Sequence, residues 1–135
     1  MDSNIKNDVT ERHLLVVDDD LMILRIMEDT LSNEGYVVHK ASSGNEGLEI
    51  LKNHSISVVL SDYQMPMMTG IEFLSQVRER YPHTVRLITS STPDHDIFNE
   101  AIRDEVIYKF LPKLVNLDQL RMCVYEAFQR YEQNS

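Results

Sequence analysis

The sequence predicts an α/β architecture: one open, all-parallel sheet of five strands with helices on both faces. Three observations lead there. Short β-rich apolar runs alternate with helical patterns five times along 135 residues, and such alternation builds parallel sheets through right-handed crossovers. The runs LLVV and SVVL are apolar without interruption, as in strands covered on both faces. Acids, a hydroxyl and a lysine close four of the runs, at the carboxyl ends of strands, where open parallel sheets collect their ligands.

The first strand is expected over residues 13–18 (HLLVVD), with Asp20 as N-cap of a helix whose stripe is Ile23, Ile26, Met27, Thr30 and Leu31 and which Gly35 ends. The second covers 36–40 (YVVHK); Ser43 with Glu46 forms a capping-box pattern for a helix bearing Leu48 and Leu51. The third covers 56–61 (ISVVLS), and Asp62 begins the loop YQMPMMTG. Thr69 with Glu72 repeats the capping signal ahead of Phe73, Leu74 and Val77. The fourth strand is 85–89 (VRLIT), followed by Thr92 and Pro93, which suit a helix start because proline's missing donor costs nothing in a first turn. The fifth is 107–111 (IYKFL), after which Asn116 and Gln119 open a helix carrying Leu117, Leu120, Val124, Phe128 and Tyr131.

A chain of this length is expected to form one domain over 13–131, with short tails at 1–12 and 132–135. An apolar content of 42% with 26% charged residues argues against disorder. No run approaches the roughly 18 apolar residues of a membrane span, and the start MDSNIKNDVTERH lacks a signal peptide's apolar region, so a soluble, cytoplasmic protein is expected. Cys123 cannot pair within the chain and reads as a packing residue. A net charge of −9 argues against binding nucleic acid or anionic membranes and leaves a cationic partner or a metal ion.

Asp18, Asp19 and Asp20 follow LLVV directly. One acid suffices to cap a helix, whereas two carboxylates about 5 Å apart repel by roughly 3 kcal/mol at an effective dielectric near 20. Asp62 would face Asp18 and Asp19 if the first and third strands are neighbours. Hard oxygen donors without histidine or cysteine suit Mg²⁺, which keeps waters and accepts phosphate oxygens. His13, His39, His54, His83 and His95 show no zinc-ligand spacing and read as surface or packing residues. Lys113 and Thr89, each after a strand-like run, add an ammonium and a hydroxyl. Carboxylate, metal site, lysine and hydroxyl are what phosphoryl transfer to an aspartate requires.

VVDDD, LSDYQMPMMTG, LITSS and FLPK, in this order and spacing, resemble the receiver domain of two-component response regulators. The resemblance spans His13 to Tyr131 and implies a flavodoxin-like three-layer fold with five helices and sheet order 2-1-3-4-5. It implies that Asp62 accepts a phosphoryl group, that Asp18, Asp19 and Asp62 hold Mg²⁺ with the backbone carbonyl of Gln64, and that Lys113 contacts the phosphoryl group. Thr89 resembles the switch hydroxyl and Phe110 the aromatic that moves with it. Gln64 and Ser91 are expected to flank the hydrolytic water and tune phosphate lifetime.

The implied partners are a histidine kinase or histidine phosphotransfer protein and a downstream output protein or effector domain, with readout by the fourth helix, fifth strand and fifth helix. A phosphorylation-dependent homodimer is compatible with it, and no catalysis is expected beyond the domain's own phosphorylation and dephosphorylation. Two positions depart from the family pattern. Leu114 follows Lys113 where proline is usual, predicting a trans bond there. Ser90 replaces a smaller residue and is expected to crowd or hydrogen-bond the phosphoryl site. Met65, Met67 and Met68 either pack their loop or meet a partner. The competing readings are an unphosphorylated binding module of the same fold and a haloacid-dehalogenase-like phosphatase with Asp18 as nucleophile.

Overall fold

The computed structural model describes residues 11–92, 94–113 and 116–134. The expectations for the tail at residues 1–10, for Pro93 and for the bond before Leu114 lie outside the described residues. Among the described residues five strands and five helices alternate: β1 (His13–Val17), α1 (Leu21–Ser32), β2 (Val37–Ala41), α2 (Gly44–Asn53), β3 (Val58–Asp62), α3 (Gly70–Arg80), β4 (Val85–Ser90), α4 (His95–Arg103), β5 (Lys109–Pro112) and α5 (Leu117–Gln133). The sheet runs β2-β1-β3-β4-β5, with every neighbouring pair parallel.

Alternation along the strands divides the core into two layers. Leu14, Val16, Leu60 and Leu87 face α1 and α5, meeting Leu24, Met27, Leu31, Val124 and Phe128. Leu15, Val17, Val59 and Ile88 face α2, α3 and α4, meeting Leu51, Phe73, Leu74 and Phe98. Phe73, Phe98 and Phe128 are among the largest fully buried side chains, and truncation of such a residue to alanine costs about 3–5 kcal/mol. No helix among the described residues is long and apolar enough to cross a membrane.

β2 to β5 each end one residue later than the sequence reading, whereas β1 ends at Val17 and leaves Asp18 just outside the ladder. Tyr36, Ile56 and Ile107 precede their strands: their apolarity serves the core, where each is buried, and not the strand ladder. The third strand runs on through Asp62, which pairs in register with Thr89. Pro112, lacking an N–H, closes β5 at the sheet edge, where proline is tolerated.

The caps follow the same logic. Asp20 accepts the N–H groups of Met22 and Ile23, Asn116 those of Asp118 and Gln119, and Thr69 with Glu72 closes a full capping box. Ser43 caps α2 by accepting from Glu46 N–H, but the Glu46 carboxylate reaches back to the backbone and hydroxyl of Ser42, one residue earlier than the box predicts. The cap of α4 is Asp94, whose carboxylate accepts from Ile97 N–H, so the helix starts later than Thr92 suggests. Arg86, between the apolar Val85 and Leu87 of β4, is buried and donates to the carbonyls of Val106, Thr84 and Glu105, tying β4 to the turn before β5. Burial pushes its guanidinium down to about 10.

Candidate functional site

The parallel sheet brings the ends of β1, β3, β4 and β5 to one edge. Asp18 stands just past β1, fully buried, and its Oδ1 accepts the Asp20 N–H at 2.9 Å. Asp62 ends β3 and is 4% exposed. Lys113, just past β5, places its Nζ 3.0 Å from Asp18 Oδ2 and 3.2 Å from Asp62 Oδ2. Asp18 Oδ2 receives this ion-pair contact without a well-directed hydrogen bond.

Gly70 makes this packing feasible. A side chain there would collide with the Asp62 carbonyl oxygen, and the Gly70 N–H donates to Tyr63 O at 2.7 Å. The N-terminus of α3 is thereby seated directly beneath the loop that leaves Asp62.

Burial raises the Asp18 carboxyl above the usual carboxylate range, the Asp20 N–H and the Lys113 ammonium opposing it and the Asp19 charge adding to it. Burial likewise raises Asp62, with the Asp18 charge adding to the effect, against the pull of Lys113 and the Gln64 N–H. Burial works against the Lys113 ammonium, yet the two carboxylates outweigh it and hold the lysine above its ordinary range.

Asp18, Asp19 and Asp62 each offer an oxygen within 4.8 Å of the others, the only such group of three among the described residues. Unit charges that close repel by roughly 3 kcal/mol at an effective dielectric of 20. Three carboxylates against one ammonium leave two negative charges, and with the underbonded Asp18 Oδ2 the all-oxygen donor set fits a hard divalent cation.

Thr89, on the strand beside Asp62, is 4% exposed, and among the described residues its Oγ1 has no hydrogen-bond partner. A buried hydroxyl without a partner costs about 1–3 kcal/mol, and Thr89 pairs in register with Asp62 on the neighbouring strand. Ser90 does not crowd the site as expected: its hydroxyl donates to Thr92 O at 2.6 Å and accepts from Thr92 N–H at 3.2 Å, turning into its own loop. Gln64 and Ser91 are exposed at the rim. The methionines divide, with Met65 buried in the core and Met67 98% exposed at φ 74°.

Phe110 is half-buried on β5, with its ring 4.9 Å from Phe98 and 5.7 Å from His95. Phe98 in turn meets Tyr63 edge-on at 5.1 Å. This aromatic chain from the neighbour of Asp62 to Phe110 escapes sequence reading, because α4 supplies its central ring and no spacing rule joins the three. A second group escapes it too: His13, His39 and His54 lie side by side at the other end of β1.

The response regulator receiver domain model matches residues 14–125. The hydrogenase transcriptional regulatory protein HoxA of Cupriavidus necator is 36% identical over 116 residues, which span 86% of this chain and 24% of that protein. The transcriptional regulatory protein GlrR of Escherichia coli is 31% identical over 120 residues, 87% of this chain and 26% of that protein. The chain thus spans about a quarter of the length of these curated relatives. Among solved structures, a CheY-like response regulator receiver domain protein from Methanospirillum hungatei superposes with a TM-score of 0.87 at 25% identity, covering 93% of this chain and all of that one. Sheet order, acidic edge and these matches agree: the chain belongs to the response regulator receiver domain family of two-component signalling.

Proposed function

We propose that Asp62 accepts a phosphoryl group from a histidine kinase or histidine phosphotransfer protein, with Mg²⁺ held by Asp18, Asp19, Asp62 and the backbone carbonyl of Gln64. One observation carries this reading: a nearly buried carboxylate sits between two further acids and one ammonium, beside an unpartnered hydroxyl on the next strand. An Asp62 carboxylate oxygen attacks phosphorus, an O–P bond forms, and the P–N bond to the donor imidazole breaks, its electron pair staying on nitrogen. Bound Mg²⁺ supplies neutralisation of the phosphoryl oxygens. Lys113, already 3.2 Å from Asp62, pairs with the charge that arrives, and Thr89 donates its free hydroxyl to a phosphoryl oxygen.

The added charge, nearly two units at neutral pH, draws Thr89 and Lys113 inward and shifts the population of the β4–α4 loop and of Phe110. The partner reading the change is a downstream output protein or an effector domain. We place the chain in the cytoplasm and assign it no catalysis beyond its own phosphorylation and dephosphorylation. Asp18 does not suit a phosphatase nucleophile, since it is fully buried and its oxygens already face Asp20 N–H and Lys113.

The test is intact-mass spectrometry after incubation with acetyl phosphate and Mg²⁺. The wild type gains one phosphoryl group and Asp62→Asn gains none; equal labelling of the two, or no labelling of the wild type, defeats the reading.

A further inference from the structure

We propose that His13, His39 and His54 form a zinc-binding site at the end of β1 remote from the acid cluster. The span of β1 separates the two by about 17 Å at the usual rise of an extended strand.

The pair at its centre is set by the sheet. In the parallel register His13 aligns with Val37 and Leu15 with His39, so His13 and His39 are diagonal neighbours on one face of the sheet. Their rings stack with centroids 5.3 Å apart, and His13 Nδ1 lies 3.0 Å from His39 Nε2. Two imidazole nitrogens bound to one tetrahedral zinc stand about 3.3 Å apart, given Zn–N bonds of 2.0–2.1 Å. The resting pair is a few tenths of an ångström from that separation.

Glu11 prepares the pair. Its Oε1 is 3.0 Å from His13 Nε2, the arrangement in which a carboxylate takes the remote ring N–H of a metal-binding histidine and leaves the other nitrogen's lone pair free. That lone pair, on Nδ1, accepts the His39 Nε2–H in the resting pair; zinc takes the place of that proton, and His39 passes to the tautomer protonated on Nδ1. Burial, with His54 and His13 beside it, holds His39 below the ordinary histidine range.

His54 supplies the third donor. Its ring is 4.5 Å from that of His39, tilted by 41°, and it caps the carboxyl end of α2, where the helix dipole favours a cation. The three nitrogens do not yet converge within one coordination sphere. His54 is exposed, so turning its ring inward displaces no core packing. Three imidazoles, with water in the fourth position, match the nitrogen-rich sites that zinc occupies, whereas Mg²⁺ prefers the oxygen donors at the other end.

The experiment is calorimetric titration of ZnCl₂ into the tag-free full chain, with excess Mg²⁺ present to block the acid cluster. One zinc ion per chain binds. Binding is lost in His54→Ala, which alters an exposed side chain, and in His39→Ala; it weakens about tenfold in Glu11→Gln and persists in Asp19→Asn. Co²⁺ in place of zinc gives the visible absorption of a tetrahedral site in the wild type and not in His54→Ala. Absence of zinc binding, binding indifferent to both histidine replacements, or binding lost in Asp19→Asn overturns the proposal.

Discussion

Thr89→Val isolates the role of the unpartnered hydroxyl. The side chain is 4% exposed and Oγ1 has no partner, so replacing it with a methyl group of similar shape removes a buried polar group that gains nothing in the resting state. Relief of that penalty is worth about 1–2 kcal/mol, the lower part of the range for an unmade buried hydrogen bond. With an unfolding entropy near 2.1 cal/mol/K per residue, a chain of 135 residues gains about 4 °C in Tm for each kcal/mol. Thermal denaturation followed by circular dichroism, without divalent ions or phosphoryl donor, should place the variant about 4–7 °C above the wild type. Adding Mg²⁺ and a phosphoryl mimic such as beryllium fluoride should narrow that gap, because only the wild type then satisfies its hydroxyl. A variant less stable than the wild type under resting conditions would refute the reasoning.

Gly70→Ala pushes a methyl group against the Asp62 carbonyl; a loss of at least about 2 kcal/mol is expected in urea denaturation, within the range for overpacking, and labelling by acetyl phosphate should fall more than the folded fraction does. Replacing both Gln64 and Ser91 with alanine should change the dephosphorylation rate while leaving stability within about 0.5 kcal/mol, since both are exposed; an unchanged rate removes their proposed control of phosphate lifetime. Burial pushes the Cys123 thiol up to about 11, so at pH 8 only about one part in a thousand is thiolate, and disulfide reagents should modify it no faster than the chain opens. Because the folded thiol holds its proton more tightly than the unfolded one, Cys123 should lower stability as pH rises from about 9 to 11; Cys123→Ala should remove that slope.

What the sequence makes legible depends on how local the governing interaction is. Asp20, Thr69 and Asn116 are readable as caps because a cap is satisfied by an N–H two or three residues onward. Asp94 is not, because Thr92 and Pro93 offer a competing start just upstream. Asp18, Asp19 and Asp62 are readable as one cluster since every strand of a parallel sheet ends at the same edge, whatever lies between in the chain. That Thr89 lacks a partner while Ser90 finds one in Thr92 depends on where two adjacent hydroxyls point, a choice made by loop geometry. The histidine trio needs both the register of β1 with β2 and the end of α2, and its spacing of 26 residues between His13 and His39 carries no local signal.

Lys113 has one ammonium and, in the resting protein, two claimants within 3.2 Å. On the proposed reading a phosphoryl group on Asp62 would become a third, and a single cation would not satisfy all of them at once. When Lys113 turns to the newcomer, Asp18, fully buried and already short of hydrogen bonds, is the group that loses its share. An abandoned buried carboxylate is costly, so a phosphorylated state without a divalent ion is penalised at Asp18 as well as at the phosphoryl group. If the proposed site holds both, the scarcity of positive charge at this edge would make ion and phosphoryl group mutually dependent: each would be most stable when the other is present.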